Sequence, residues 1–205
     1  MEEKNIIDNN EHSKRIRKSK AWTKLIARVG IFGAISAILY IIPVPPFNFP
    51  IFPGAFSFLN VHLDEVPAFI AGFSYGPLAG ALVLVVRTLI KLPLSSTGMI
   101  GELADILYSL AFVIPAVLIY RRRKSFRTAI IGLVIANFIQ IIVATAFNYF
   151  FIFDLYNGFY GGLPFTRNEF IAVIPPFNLI KNTIVILLTL LVYKSVRRTV
   201  EKIDL

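Results

Sequence analysis

Cysteine is absent from this 205-residue chain, and acidic residues are scarce, with 12 Asp and Glu against 21 Lys and Arg. Without thiols the chain holds no disulfide, no thiolate nucleophile and no cysteine-ligated metal centre. Charged residues make up only 16% of the chain, whereas a soluble domain carries about 25%. Hydrophobic residues make up 56%, which predicts a membrane protein and excludes an ordinary water-soluble domain.

Motifs of common enzyme chemistry are also missing. The chain has no His-Glu-x-x-His helix, no Gly-x-Ser-x-Gly elbow and no glycine-rich phosphate loop ending in Lys-Ser or Lys-Thr. We therefore predict that the protein is not an enzyme and carries neither a cofactor nor a metal. If it moves a solute uphill, the energy comes from an ion gradient or from another subunit.

Of the 21 Lys and Arg residues, 17 fall into three clusters: the stretch up to Arg28, the run from Arg121 to Arg127, and the tail from Lys194. Long apolar segments separate them. Because cytoplasmic loops of membrane proteins are enriched in Lys and Arg, all three clusters are predicted to face the cytoplasm. The net charge of +9 then indicates contact with anionic lipid and not with nucleic acid.

The apolar segments predict an all-α integral membrane protein, a bundle of six transmembrane helices with both termini cytoplasmic. The predicted helices span 25–42, 63–75, 78–92, 100–120, 128–153 and 170–193. The corresponding regions are a basic leader (1–22), the membrane domain (23–194) with outer loops at about 43–60, 93–100 and 154–168, and a tail (195–205). The second and third helices are shorter than the roughly 20 residues of a standard span, so they are either tilted short helices or a hairpin entering from outside.

The first outer loop combines proline with aromatic residues. Between Pro43 and Phe58 the chain has five prolines and five phenylalanines, which excludes a regular helix in spite of the apolar composition. Two interpretations remain open: an aromatic belt resting at the membrane interface, or a lid closing over a flat ligand.

Small residues recur at a spacing of four in the first helix, as Gly30 with Ala34 and Gly33 with Ala37. Such pairs let another helix approach closely. The partner helix belongs either to the same chain or to another subunit, and the sequence leaves both open.

Polar residues inside the apolar segments gather toward the predicted outer face. They are Arg87, Lys91, Glu102, Asp105, Asn148, Asn178 and Lys181. Buried charges are costly unless they are paired or face a polar cavity, so the group forms either a salt-bridge network or a ligand site. A network would pair Glu102 with Lys181, or Asp105 with Arg87. The two amides favour a ligand site, because Asn offers both a donor and an acceptor to the edge of a small planar heteroaromatic solute.

Other polar positions have simpler interpretations. His62 and Asp64 lack companions at metal-ligand spacing, so a helix cap or a lid contact is expected. Asn137 and Gln140 are expected to form hydrogen bonds between helices. Tyr40 and Tyr156 contact the solute or belong to the outer aromatic girdle.

Several motifs occur in an order that resembles a known family. They are Leu-Asp-x-x-Pro (63–67), Gly-Pro-Leu-Ala-Gly (76–80), Ser-Thr-Gly-x-x-Gly-Glu-Leu-Ala-Asp (96–105), Asn-Tyr-Phe (148–150) and Pro-Phe-Asn-Leu-Ile-Lys (176–181). Together they resemble the substrate-binding S-component of energy-coupling-factor vitamin transporters, and within it the riboflavin-specific branch. The resemblance covers roughly residues 21–193.

The resemblance implies a multi-pass protein of a prokaryotic cell membrane. It would bind riboflavin at the outer face and associate with a transmembrane T-component and two cytoplasmic ATPases. Glu102, Asn148, Asn178 and Lys181 match positions that hold the ring and ribityl groups in that branch. Including neighbours in the outer loops, the predicted substrate-binding residues are Tyr40, Phe58, Leu94, Thr97, Gly98, Glu102, Asn148, Asn178 and Lys181.

The resemblance also implies a docking surface for the T-component. The small-residue face of the first helix, made of Gly30, Gly33, Ala34 and Ala37, stands where the family has an Ala-x-x-x-Ala motif. Here glycine replaces alanine at one position of each pair.

Three alternatives remain. The first is an S-component for another vitamin or flavin, such as flavin mononucleotide, folate or thiamine. The second is a stand-alone secondary carrier or channel, whose uptake would need only a gradient. The third is a small membrane enzyme acting on lipid or isoprenoid, which would show turnover.

Overall fold

The computed structural model describes residues 2–42, 48–52 and 54–203, and this part of the chain is mostly helical. The elements in chain order are α1 (Glu2–Ile41), β1 (Asn48–Pro50), β2 (Asn60–His62), α2 (Glu65–Tyr75), α3 (Pro77–Lys91), α4 (Ile100–Arg122), α5 (Phe126–Phe147), α6 (Phe153–Tyr160) and α7 (Arg167–Ile203). Single 3-10 turns lie at Gly54–Phe56 and Leu92–Leu94, and a π turn at Asn148–Ile152 joins α5 to α6. Residues 43–47 and Pro53 of the predicted outer loop lie outside the described residues.

Five described segments are long and apolar enough to cross a membrane. They are Ser19–Ile41, Pro77–Leu94, Ile100–Arg122, Phe126–Tyr160 and Arg167–Tyr193. α2 has only 11 residues, which is short of the roughly 20 that a bilayer requires. The helical membrane fold is thus confirmed with five candidate spans, while the sixth span and the side on which the termini lie stay predictions.

Helix boundaries agree best where the chain turns sharply. α2 and α3 each begin and end within two residues of the positions predicted from the sequence. α1, in contrast, begins at Glu2 and α7 continues to Ile203, because backbone hydrogen bonds carry a helix beyond its apolar part. α5 likewise continues through the π turn to Tyr160, where an outer loop from 154 was expected. The Pro175-Pro176 pair lies inside α7, whose first turn begins at Arg167.

α2 and α3 form the tight hairpin that the Gly-Pro turn predicts. Gly76 has a φ of 110°, which only glycine adopts readily, and Pro77 is the first residue of α3. A Cβ added to Gly80 would lie 3.0 Å from the carbonyl oxygen of Ala68 and 3.3 Å from the Cα of Gly72. The two helices therefore cross at backbone contact distance, and the close packing expected from Gly72 and Gly80 is confirmed.

Residues from two basic clusters meet at one end of the bundle. The Arg28 guanidinium lies 4.2 Å from the ring centre of Tyr75. A Cβ on Gly76 would lie 2.9 Å from Nη1 of Arg121. The neighbouring Tyr120 hydroxyl lies 2.6 Å from that of Tyr193, which precedes the basic tail. The basic segments thus share one end of the molecule, as a common cytoplasmic side requires.

The opposite end carries a short hairpin and an aromatic cluster. β1 pairs with β2 in antiparallel register, with Asn48 opposite His62. Beside the hairpin, the ring of Phe56 lies 4.7 Å from that of Phe165, and Phe58 lies 6.2 Å from both Phe165 and Phe170. The described part of the first outer loop therefore packs on the start of α7, as a lid would. Sequence analysis did not predict the strands, which are three residues each.

The small residues of α1 divide between two faces. Gly33 and Ala37 are buried, and a Cβ on Gly33 would lie 2.7 Å from Cγ1 of Val86 on α3. Gly30 and Ala34 are exposed, and a Cβ on Gly30 would meet no atom within 4 Å. One pair thus packs within the chain, and the other faces outward.

Gly132 permits the close approach of α5 to α4. A Cβ there would lie 2.7 Å from the carbonyl oxygen of Ala116, a backbone atom that can move only with its helix. We expect Gly132→Ala to destabilise the fold by about 1–3 kcal/mol, as overpacking does. Thermal unfolding of the detergent-solubilised protein measures the effect. Gly158→Ala on α6 is the matched control, since its Cβ would meet nothing within 4 Å. Equal melting temperatures for the two variants would contradict the packing argument.

Candidate ligand-binding site

A cavity of about 190 Å³ lies among the β1–β2 segment, α4, the π turn and α7. The elements bring together residues that are distant in sequence. Of the nine predicted substrate-binding residues, seven line the cavity: Tyr40, Phe58, Thr97, Glu102, Asn148, Asn178 and Lys181. The convergence follows from the alternating direction of the helices, which places the end of α1, the start of α4 and the end of α5 at one level.

Leu94 and Gly98 are not among the lining residues. Leu94 is 57% exposed. Gly98 has a φ of 60°, and a Cβ added to it would clash with the ring of Phe159. The loop from Ser95 to Met99 turns its hydroxyl groups inward instead. Ser95 and Thr97 donate to Oε2 of Glu102 at 2.6 and 2.8 Å, which directs their neighbours outward.

One wall of the cavity is aromatic and apolar. Phe58 lies 6.1 Å from Tyr156 and 6.2 Å from Phe170, measured between ring centres. Ile152 and Ile174 extend this wall. Flat rings at such spacings provide the dispersion contacts that a planar heteroaromatic solute needs.

The amides of Asn148 and Asn178 are both 4% exposed and line the cavity. Nδ2 of Asn148 donates to the hydroxyl of Tyr108 at 2.8 Å and to the carbonyl oxygen of Ala144 at 2.7 Å. Nδ2 of Asn178 donates to the carbonyl oxygen of Ile174 at 2.9 Å. Each side chain is therefore oriented by a carbonyl of the preceding turn, and Asn148 also by Tyr108 of α4.

Further amides behind the cavity connect α5 to α7. Nδ2 of Asn182 donates to Oδ1 of Asn137 at 2.7 Å and to Oε1 of Gln140 at 2.8 Å. Nε2 of Gln140 donates in turn to Oδ1 of Asn178 at 2.8 Å. The prediction that Asn137 and Gln140 form hydrogen bonds between helices is confirmed. Asn182, which sequence analysis missed, is the residue that joins them.

A buried ion network lies next to the amides. Arg87 forms ion pairs with Asp64 and, at 2.7 Å, with Asp105. Lys181 contacts Glu65 at 3.0 Å and Asp105 at 3.4 Å. The network neutralises most of its charge internally, since three carboxylates face two cations.

The ion pairs decide between the two networks that the sequence allowed. The pair of Asp105 with Arg87 is confirmed. A pair of Glu102 with Lys181 does not form within the described residues, because Glu102 accepts from the hydroxyls of Ser95 and Thr97 instead. The outer polar group is thus part salt-bridge network and part cavity wall.

Glu65 is the main residue that sequence analysis missed. It is fully buried, and its Oε1 accepts from Lys181 at 3.0 Å and from Ser109 at 2.8 Å. The available signal was its place beside Asp64 at the start of an apolar helix, but sequence analysis considered only Asp64 there, as a helix cap or a lid contact. Asp64 does occupy the N-cap position of α2 but makes no capping hydrogen bond with its side chain, because its carboxylate faces Arg87.

His62 stands at the end of β2 and lines the cavity. Its ring lies 4.7 Å from that of Tyr40 at an interplanar angle of 79°. Burial, together with the nearby cation of Lys181, lowers the pKa of His62 to about 3. The imidazole is therefore neutral at physiological pH.

This geometry defines a class: a helical membrane protein with a ligand cavity of aromatic rings, amides and ionic groups at one end of the bundle. Residues 24–193 match the family model described as ECF transporter, substrate-specific component. The chain belongs to this family, and the resemblance inferred from its motifs is confirmed.

Relatives and a solved structure support the same assignment. The chain is 28% identical over 179 residues to "Riboflavin transporter RibU" of Staphylococcus aureus (strain TCH60), covering 86% of this chain and 93% of that protein. It is 24% identical over 184 residues to "Riboflavin transporter FmnP" of Bacillus subtilis (strain 168), covering 86% and 95%. A structure titled "Structure and mechanism of the S component of a bacterial ECF transporter" matches with a TM-score of 0.74 and 28% identity, covering 86% of this chain and 97% of the other.

Removing the central cation of the ion network is expected to destabilise the bundle. Arg87→Met leaves Asp64 and Asp105 without their shared partner in an apolar environment, which costs about 3–5 kcal/mol. The loss of thermal stability in detergent measures this cost. Lys24→Met removes an exposed cation near the start of the first candidate span and is expected to change the melting temperature little. A melting temperature for Arg87→Met equal to that of wild type would contradict the role of the network.

Proposed function

We propose that this protein is the riboflavin-binding subunit of an energy-coupling-factor uptake transporter. It captures the vitamin at the outer face of a prokaryotic cell membrane and delivers it inward together with a T-component and two ATPases. The observation that carries the proposal is the convergence of Glu102, Asn148, Asn178 and Lys181 on one aromatic-walled cavity. Curated relatives that carry the name riboflavin transporter support the choice of ligand.

The cavity matches the chemistry of riboflavin. The flat tricyclic ring of riboflavin lies against the aromatic and apolar wall that includes Phe58, and the donors and acceptors at its ring edge pair with the two amides. The ribityl hydroxyls require charged or polar partners. Glu102 accepts from Ser95 and Thr97 on Oε2, which leaves Oε1 as the acceptor for a ribityl hydroxyl. Lys181 has three N–H donors and uses two of them on carboxylates.

The proposal includes the orientation of the chain in the membrane. Six membrane helices, with α2 as the short sixth, place both termini and all three basic clusters in the cytoplasm. The cavity then opens to the outside under the β1–β2 segment. The exposed Gly30 and Ala34 on α1 offer the T-component a smooth surface for close helix packing. The subunit itself performs no catalysis, and ATP hydrolysis belongs to its partners.

Two substitutions test the ligand site. Asn178→Ala and Lys181→Ala are each expected to weaken riboflavin binding by about 1–3 kcal/mol, because each removes a hydrogen bond and leaves a partner unpaired. Quenching of flavin fluorescence by the purified protein measures the affinity. Thr183→Val, on an exposed face of the same helix, is the matched control. If the double variant bound riboflavin as tightly as wild type, the site assignment would be wrong.

The neutral state of His62 predicts how binding depends on pH. Because the pKa of His62 is about 3, the imidazole gains no proton between pH 5.5 and 8, and it contributes no change in affinity over that range. Riboflavin titrations across this interval are expected to give the same pH profile for wild type and for His62→Gln. A loss of affinity below pH 6.5 that disappears in His62→Gln would show that the histidine titrates near its ordinary value.

A further inference from the structure

The two cavity amides present opposite hydrogen-bonding groups. Nδ2 of Asn148 donates to the hydroxyl of Tyr108 and to the carbonyl oxygen of Ala144. A primary amide nitrogen has two hydrogens, so both are used. The backbone carbonyl accepts only, which identifies the contacting atom as nitrogen. Oδ1 of Asn148 is the atom left for a ligand, and Asn148 therefore offers an acceptor.

Asn178 is held the other way. Its Nδ2 donates one hydrogen to the carbonyl oxygen of Ile174 at 2.9 Å, which again identifies the nitrogen. Its Oδ1 accepts from Nε2 of Gln140 at 2.8 Å. One N–H remains for the cavity, so Asn178 offers a donor.

Gln140 owes its own orientation to Asn182. Nδ2 of Asn182 donates to Oε1 of Gln140 at 2.8 Å, which turns the Gln140 oxygen away from Asn178 and its nitrogen toward it. Gln140 is 1% exposed and Asn182 is fully buried, so water does not replace these partners. Gln140 is not among the cavity-lining residues, and it reaches a ligand only through Asn178.

We propose that Gln140 is a positioning residue that locks Asn178 as a donor opposite the acceptor of Asn148. The pair selects ligands whose ring edge carries an N–H beside a carbonyl, as the pyrimidinedione ring of a flavin does. This inference rests on the proposed riboflavin function and adds the polarity with which the ring edge is read. The physical basis is that a buried amide oxygen without a partner is costly, so Asn178 rotates away once Gln140 no longer donates to it.

A double-mutant cycle separates positioning from a general structural effect. Gln140→Met keeps the side-chain length but removes the donor, and it is expected to weaken riboflavin binding about 3- to 20-fold. In the background of Asn178→Ala the same change is expected to have no further effect, because Gln140 acts through Asn178. The measurement is quenching of riboflavin fluorescence by the full-length protein in detergent. Thr145→Val, on α5 as well, is the control that removes a hydrogen bond without touching the amides.

A methylated ligand tests the polarity. Riboflavin methylated at the ring N–H between the two carbonyls cannot donate to Asn148, and wild type is expected to bind it at least about 10-fold more weakly than riboflavin. Asn148→Ala is expected to remove most of that penalty, whereas Gln140→Met leaves it unchanged.

Three results would overturn the inference. Equal losses from Gln140→Met in both backgrounds would show a general structural role, and equal wild-type affinity for the two flavins would show that the polarity is misassigned. Either result leaves the proposed function intact if wild type binds riboflavin. Failure of wild type to bind riboflavin would overturn the proposed function, and this inference with it.

Discussion

Arg87 ties the bundle together because a guanidinium among apolar helices has to find its counter-charges inside the protein. It lies on α3 and pairs with Asp64 before α2 and with Asp105 on α4. Lys181 extends the same network to α7 through Glu65 and Asp105. Four helical segments are thereby held at one level by charges that have no alternative partner in lipid. The cavity lies at the same level, and Asp105 and Lys181 of the ion network also line it.

Around the ion network, the cavity wall consists of two kinds of groups, aromatic rings and amides. Aromatic rings of the outer loop and of α7, such as Phe58 and Phe170, form an apolar wall of the cavity. The amides of Asn148 and Asn178 supply direction, because each donates to a carbonyl of the preceding turn, Asn148 also donates to Tyr108, and Asn178 also accepts from Gln140. Such a site is largely assembled before a ligand enters. Its selectivity then comes from donors and acceptors that cannot rearrange cheaply, and less from a change of shape.

Sequence reasoning reached the helices and most of the cavity because the underlying signals are local. Apolar runs and basic clusters mark membrane segments, and the Gly76-Pro77 turn marks a hairpin regardless of tertiary contacts. Burying polar residues such as Asn148 and Lys181 in an apolar segment costs free energy, so their presence there indicates a site. What escaped prediction depends on contacts between distant segments. Glu65 at the start of α2 shows no sign of its role until Lys181, 116 residues later in the chain, is placed beside it. The short strands were missed for the same reason.

The π turn at Asn148–Ile152 has a consequence for how α5 and α6 work together. A π turn accommodates one more residue than an α turn, with the N–H of Phe153 bonded to the carbonyl of Asn148. Because each residue advances a helix by roughly 100°, everything after the turn is rotated by about that angle relative to a continuous α-helix. The extra residue thus changes the direction in which the side chains of α6 point relative to those of α5. Before the turn Gln140 reaches Asn178 of α7, in the turn Asn148 reaches Tyr108 of α4, and beyond it Tyr156 lines the cavity, while Phe150 and Phe151 are exposed. Deleting one residue from the π turn would restore a regular α-helix, but it would rotate α6 relative to α5 and so change which residues of each contact the rest of the bundle.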